Sequence, residues 1–220
     1  MVKFLTRLSH LLAAILLYAV GVVITLKANV GYAPWDVLHA GLAKTIGISF
    51  GFASIVAGVI IVAFVAICGE KIGIGTIISM TVTGIFIDLI MLIDVIPLAP
   101  NMAIGIVMLV AGLLVISLAT YFYIRSAFGA GPRDNLMVVI KRKTKLPIGV
   151  CRSIVELTVT FAGWRLGGMV GIGTLISVVA VGFSIQLVFT IFKFNAAAVK
   201  HETLRDTYET LASAVRRKNQ

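Results

Sequence analysis

Six long, predominantly apolar runs decide what this chain can fold into. They cover residues 8–26, 48–67, 72–93, 102–124, 148–164 and 170–192. Each is close to the ~17–25 residues that a helix needs to cross a bilayer, and only a helix satisfies its own backbone in hydrocarbon. Hydrophobic residues make up 60% of the 220 and charged ones 13%, against roughly 45–50% and 25% in ordinary soluble domains. A soluble domain of this size has too little interior to hide that much apolar surface. The expected fold is an all-α membrane protein with six transmembrane helices. The first run follows Lys3 and Arg7 in the manner of a signal peptide. Its counterpart at 102–124 lies mid-chain, where no signal peptide occurs, so the run is read as a retained span.

The spans come in two related sets. Gly31-Tyr32-Ala33-Pro34-Trp35-Asp36 returns 98 residues later as Gly129-Ala130-Gly131-Pro132-Arg133-Asp134. Gly73-Ile74-Gly75-Thr76 returns at the same offset as Gly171-Ile172-Gly173-Thr174, and Leu38/Leu136, Gly51/Gly149, Ser79/Ser177 and Gly84/Gly182 keep it without a gap. Duplication explains a constant offset better than chance does. Each half holds three spans, an odd number, so the second half is expected to be inverted relative to the first. That plan recurs in secondary transporters, whose sites lie where the repeats meet. The expected units are 8–97 and 102–192, each with a short extra helix at 34–46 or 132–144, followed by a cytoplasmic amphipathic helix over 196–220. Leu204, Tyr208, Leu211 and Val215 mark the apolar stripe of that last helix.

Charge sets the orientation. With the N-terminus cytoplasmic, the outer loops carry only Lys27, Lys44 and Arg165, and the other 16 of the 19 Lys and Arg fall on or near the inner side. Flipping the chain would put Arg125, Arg133, Lys141, Arg142, Lys143 and Lys145 outside, against the positive-inside rule. Both termini are therefore expected in the cytoplasm. The net charge of +10 then reads as loop charge rather than a nucleic-acid surface, because the basic residues flank spans and form no aromatic-laced stripe.

The short segments carry the candidate chemistry. Each opens with glycine, then proline, then Asp two residues on. Proline suits the first helical position, and Asp36 and Asp134 fall in the first turn, where a carboxylate meets free N–H groups and the helix dipole. Trp35, Leu38, Leu42 and Ile46 are expected on one face of the first segment, and Leu136, Val139 and Ile140 on one face of the second. Each segment is either an amphipathic interfacial helix or a re-entrant half-helix facing a polar cavity. Glycines at 31, 129 and 131 permit a sharp turn or close approach to a ligand.

Arg133 stands where the first half has Trp35. It is the candidate contact for an anionic group, or else a solvated charge balancing Asp134. Arg152 and Glu156 form an i, i+4 pair whose counterparts are Ser54 and Gly58, and Glu156 lies about 12 Å in from Ile148 by helical rise. An ionisable group at that depth marks a pathway or a structural ion pair. Asp88 matches Gln186, a polar pair that either lines a shared pathway or bonds between helices. Cys68 and Cys151 have no partner at metal spacing and read as small buried hydrophobes. No metal set, cofactor motif or nucleophile–base pair is visible, so neither an enzyme nor a cofactor is expected.

The Gly-Ala-Gly-Pro-Arg-Asp at 129–134, the Pro-Trp-Asp at 34–36, both Gly-Ile-Gly-Thr copies and the Arg152/Glu156 pair resemble the YczE/YyaS/YitT family of bacterial membrane proteins. The resemblance runs from about Tyr18 to Leu187 and is nearest to the YczE-like branch. Asn135 departs from it where a glycine is expected. The resemblance implies a bacterial plasma membrane and names no substrate. The expected function is a small secondary transporter or permease-like protein holding a small ligand between its repeats, with an anionic one as an option and the substrate unknown. The alternatives are a non-transporting scaffold, regulator or assembly partner, and a substrate-binding subunit of a larger transport complex. Expected partners are the lipid bilayer, an unknown small molecule, and a second copy or another protein.

Overall fold

The computed structural model describes residues 2–129, 131–199, 201–204, 206, 207 and 209, and for 2–5, 148 and 197 the backbone alone. Among these the chain is helical throughout: α1 (Val2–Lys27), α2 (Pro34–Ile46), α3 (Phe50–Ile67), α4 (Ile74–Ile93), α5 (Met102–Ser126), α6 (Pro132–Thr144), α7 (Ile148–Arg165) and α8 (Ile172–Ile191), with a 3₁₀ turn at Ala196–Ala198. Lengths pair across the 98-residue offset. Helices α2 and α6 have 13 residues each, α3 and α7 have 18, and α4 and α8 have 20.

Local chemistry places the ends. Pro34 and Pro132 occupy the first turns of α2 and α6, where no backbone donor is lost. The Ser49 hydroxyl accepts from the Phe52 N–H at 3.2 Å to start α3, and Asn101 accepts from the Ile104 N–H at 2.9 Å to start α5.

Helices α1 and α5 pack side by side through the centre, with α4 along α1 and α8 along α5. Small residues let the central pair meet: a Cβ on Gly112 would lie 2.6 Å from the Thr25 methyl. Ala19, Val22, Val23, Leu109 and Leu113 fill that seam. Helix α3 packs along α4, while α2 sits against α3 and α7, and α6 against the same two. Outside this core the surface is apolar, with Val107, Leu157, Val179 and Phe183 all more than two-thirds exposed. Such a surface is stable only in a bilayer.

One sequence expectation changes. Five helices, α1, α3, α4, α5 and α8, are long and apolar enough to cross a membrane. Helix α7 carries Arg152, Glu156 and Arg165, and reaches that standard only together with α6, to which it is bent by 117°. The count is therefore five spans, or six with the bent pair. Burial on α2 does not follow the apolar stripe of Trp35, Leu38, Leu42 and Ile46. The buried residues include Trp35, Asp36, Val37, His39 and Gly41, while Ile46 is exposed. The cause is α7: Gly41 and Gly163 bring the two backbones so close that a Cβ on Gly163 would lie 2.4 Å from the Leu38 nitrogen.

The two copies of the glycine motifs clasp each other crosswise. The Val30 carbonyl accepts from the Gly173 N–H at 2.7 Å, and the Phe128 carbonyl accepts from the Gly75 N–H at 2.9 Å. These bonds are each other's equivalents at the 98-residue offset. Gly31 (φ 111°) and Gly129 (φ 132°) sit at the contacts, where a Cβ would lie 2.6 Å from the Gly171 nitrogen and 2.8 Å from the Gly73 Cα respectively. Thr174 and Thr76 are buried beside them.

After α8 the chain returns over the ends of α1, α4 and α5. Glu202 donates its N–H to Ala127 and pairs with Arg7, and Leu204 donates to Ile72. The expected amphipathic helix over 196–220 rests on Tyr208, Leu211 and Val215, which lie outside the described residues. Cys151 is fully buried and Cys68 partly so, both as free thiols.

Candidate ligand-binding cavity

A cavity of about 270 Å³ lies where the two halves meet. Its floor comes from the middles of α1 and α5, through Tyr18, Ile116 and Thr120. Its walls come from α3, α4, α7 and α8, and the first turns of α2 and α6 reach into it. The residues that line it include both members of the pairs Tyr18/Ile116, Trp35/Arg133, His39/Met137, Ser54/Arg152, Gly58/Glu156 and Thr83/Val181, each 98 residues apart.

Four charged side chains line the cavity, all from the second half: Arg133, Asp134, Arg152 and Glu156. Arg152 Nε donates to Glu156 Oε1 at 2.8 Å, one helical turn along α7. The Glu156 side chain is only 13% exposed, so its charge is answered chiefly by this partner. Arg133 differs. Its guanidinium lies over the Trp35 ring, 4.9 Å from the centroid, a cation–π contact of roughly 0.5–2 kcal/mol. Among the described residues no hydrogen bond or ion pair engages that guanidinium, which leaves its donors free toward the cavity.

The remaining expected site residues fall elsewhere. Gly131 lines the cavity, whereas Gly31 and Gly129 belong to the crosswise clasp. Asp36 is buried behind the wall, its Oδ1 3.7 Å from Nδ1 of His39, and His39 faces the cavity. Asp88 binds the start of α3: its carboxylate accepts from the Gly51 N–H at 2.7 Å and from the Ser49 hydroxyl. Gln186 is exposed on α8. Neither is among the lining residues.

Tyr18, Trp35, His39, Ser79 and Tyr123 also line the cavity. A signal for Trp35 existed, since it is the repeat counterpart of Arg133; Tyr18 and Tyr123 looked like ordinary span residues. Just outside, His201 follows α8 with Nδ1 buried and unbonded. Burial lowers its pKa below the usual histidine value, and the Asp134 carboxylate pulls in the opposite direction.

The apolar outer surface, the membrane-length helices and the charged interior cavity define a helical membrane protein with an internal site. Residues 5–190 match a family of unknown function, DUF6198, and the chain belongs to that family. It is 31% identical over 208 residues to the uncharacterized membrane protein YczE of Bacillus subtilis (strain 168), covering 90% of this chain and 96% of that one. An uncharacterized protein of Haemophilus influenzae (strain ATCC 51907 / DSM 11121 / KW20 / Rd) is 30% identical over 186 residues, covering 84% of each chain. The uncharacterized protein YyaS of B. subtilis is 30% identical over 167 residues, covering 74% of this chain and 83% of that one. The resemblance read from the Gly-Pro-Asp and Gly-Ile-Gly-Thr motifs therefore holds. No solved structure matches the chain.

Proposed function

We propose that this protein is a small secondary transporter or permease-like protein whose two inverted repeats enclose a site for a small anion. The observation that carries the reading is Arg133, an arginine in a cavity between the halves that meets no hydrogen-bond acceptor among the described residues. A half-buried guanidinium lining such a cavity presents a fork of donors that matches a carboxylate or phosphate of a ligand.

Several features support the inverted-repeat arrangement: the paired helix lengths, the crosswise clasp, and six offset-related pairs around one cavity. The buried first half of α2 supports re-entry over an interfacial position. The basic residues at the C-terminal end of α6, Lys141, Arg142, Lys143 and Lys145, favour cytoplasmic termini.

The test is a thermal-stability screen of the detergent-purified protein against small carboxylates and phosphates, with cationic and neutral metabolites as controls, run beside Arg133→Gln. An anion at about 100 times its Kd is expected to stabilise the wild type by ~2.7 kcal/mol and to leave Arg133→Gln unmoved. If no anion shifts the well-folded wild type, the reading fails and the non-transporting partner role takes its place.

A further inference from the structure

The same four positions are closed in one half and open in the other. At the α3–α4 contact, Gly51 and Gly84 abut. A Cβ on Gly51 would lie 2.0 Å from the Gly84 oxygen, and one on Gly84 2.5 Å from the Gly51 oxygen. Asp88 fastens this contact through the Gly51 N–H and the Ser49 hydroxyl. The equivalents in the second half are Gly149, Gly182, Gln186 and Pro147. Among the described residues nothing lies within 4 Å of a Cβ on Gly149 or Gly182. All four are exposed, and α7 does not pack along α8 as α3 does along α4.

The glycines themselves do not explain the difference, because they are identical in both halves; the positions that differ are Ser49/Pro147 and Asp88/Gln186. A glycine in a helix costs ~1 kcal/mol relative to alanine, and at 149 and 182 no contact in this arrangement offsets that cost. The two walls flank the cavity from opposite sides, with Ser54 and Thr83 on one and their equivalents Arg152 and Val181 on the other. In an inverted repeat these latches would face opposite sides of the membrane.

We propose that the two latches alternate. In the arrangement described here the α3–α4 latch is shut and the α7–α8 latch is open. In a second arrangement Gly149 meets Gly182, Gln186 accepts from the Gly149 N–H, and the α3–α4 latch parts, so that the cavity opens to the other side. The inference rests on the transporter reading and supplies its gate. The halves are not balanced: a carboxylate is a stronger acceptor than an amide oxygen, so Asp88 makes the present arrangement the resting one, and Gln186 makes the other a minor one.

The test needs no ligand. In a Cys68→Ala, Cys151→Ala background, Pro147→Cys and Gln186→Cys are introduced together. Bridging by a short bifunctional thiol reagent in membrane vesicles is then followed by mass spectrometry. Slow bridging is expected. Adding Asp88→Asn should speed it about tenfold by weakening the competing latch. Adding Gly182→Leu should abolish it, since a leucine fits the open latch and blocks the closed one, while the melting temperature does not fall. No bridging in either the Asp88 or the Asp88→Asn background, or bridging indifferent to both substitutions, overturns the gate. Stabilisation by an anion through Arg133 is read separately, so a protein that binds the anion yet never bridges would be a static binder.

Discussion

Gly31→Ala is expected to lower the unfolding free energy by ~3 kcal/mol or more, and Gly129→Ala by a similar amount. Two costs add at each site. Alanine at positive φ costs ~1–2 kcal/mol, and its Cβ would meet the Gly171 backbone at 2.6 Å or the Gly73 backbone at 2.8 Å. Those neighbours are main chain at the starts of α8 and α4, so neither can rotate away. The clasp must open, and with it the hydrogen bonds from Gly173 to Val30 and from Gly75 to Phe128. Gly47→Ala is the control. Gly47 also has positive φ (75°), but nothing lies within 4 Å of its Cβ position, so the expected loss is only ~1 kcal/mol. Unfolding of the three purified variants in one detergent compares them directly. Equal losses at 31 and 47 would mean that the crosswise clasp is not what holds the halves together.

The second large effect is expected at Asp88. Its carboxylate accepts two hydrogen bonds at the start of α3 and sits partly buried between helices. Asp88→Ala removes both and leaves the Gly51 N–H without its partner, a loss of ~2–3 kcal/mol for bonds to a charged acceptor. Gln186→Ala, at the equivalent position on α8, removes an exposed side chain and should change stability by less than ~0.5 kcal/mol. A lowered melting temperature for Asp88→Ala with none for Gln186→Ala would establish the asymmetry of the two halves in solution. Equal effects would contradict it.

Several features were legible in the residues because they depend on short range. Span length follows from the thickness of hydrocarbon, so the runs at 8–26, 48–67, 72–93, 102–124 and 170–192 needed no tertiary information. The run at 148–164 was harder. Its length is sufficient, but Arg152 and Glu156 dilute it, and it reaches the standard of a span only when joined to α6. The burial of α2 was not legible for a different reason. Helical spacing puts Trp35, Leu38, Leu42 and Ile46 together, yet burial there is set by how closely Gly163 lets α7 approach, and no periodicity in α2 contains that distance.

For the cavity, the sequence singled out Arg133, Asp134, Arg152, Glu156 and Gly131, because charge and glycine stand out in an apolar chain. Trp35 was visible only as the repeat counterpart of Arg133, and Tyr18 and Tyr123 escaped notice because aromatic residues are ordinary in spans.

What the sequence alone determined is a helical membrane chain, a duplication at an offset of 98 residues, and the uneven replacement of Trp35, Ser54 and Gly58 by Arg133, Arg152 and Glu156. Membership in the family follows from the same motifs. What only the tertiary structure decided is which groups meet. Among the described residues Arg152 finds Glu156 on its own helix, while Arg133 lies over the Trp35 ring with no hydrogen bond. Gly51 and Gly84 touch while Gly149 and Gly182 stand apart. The physical reason is that a glycine carries the same local information in both halves, so whether two glycines touch is decided by the residues around them and by the packing of helices distant in the chain.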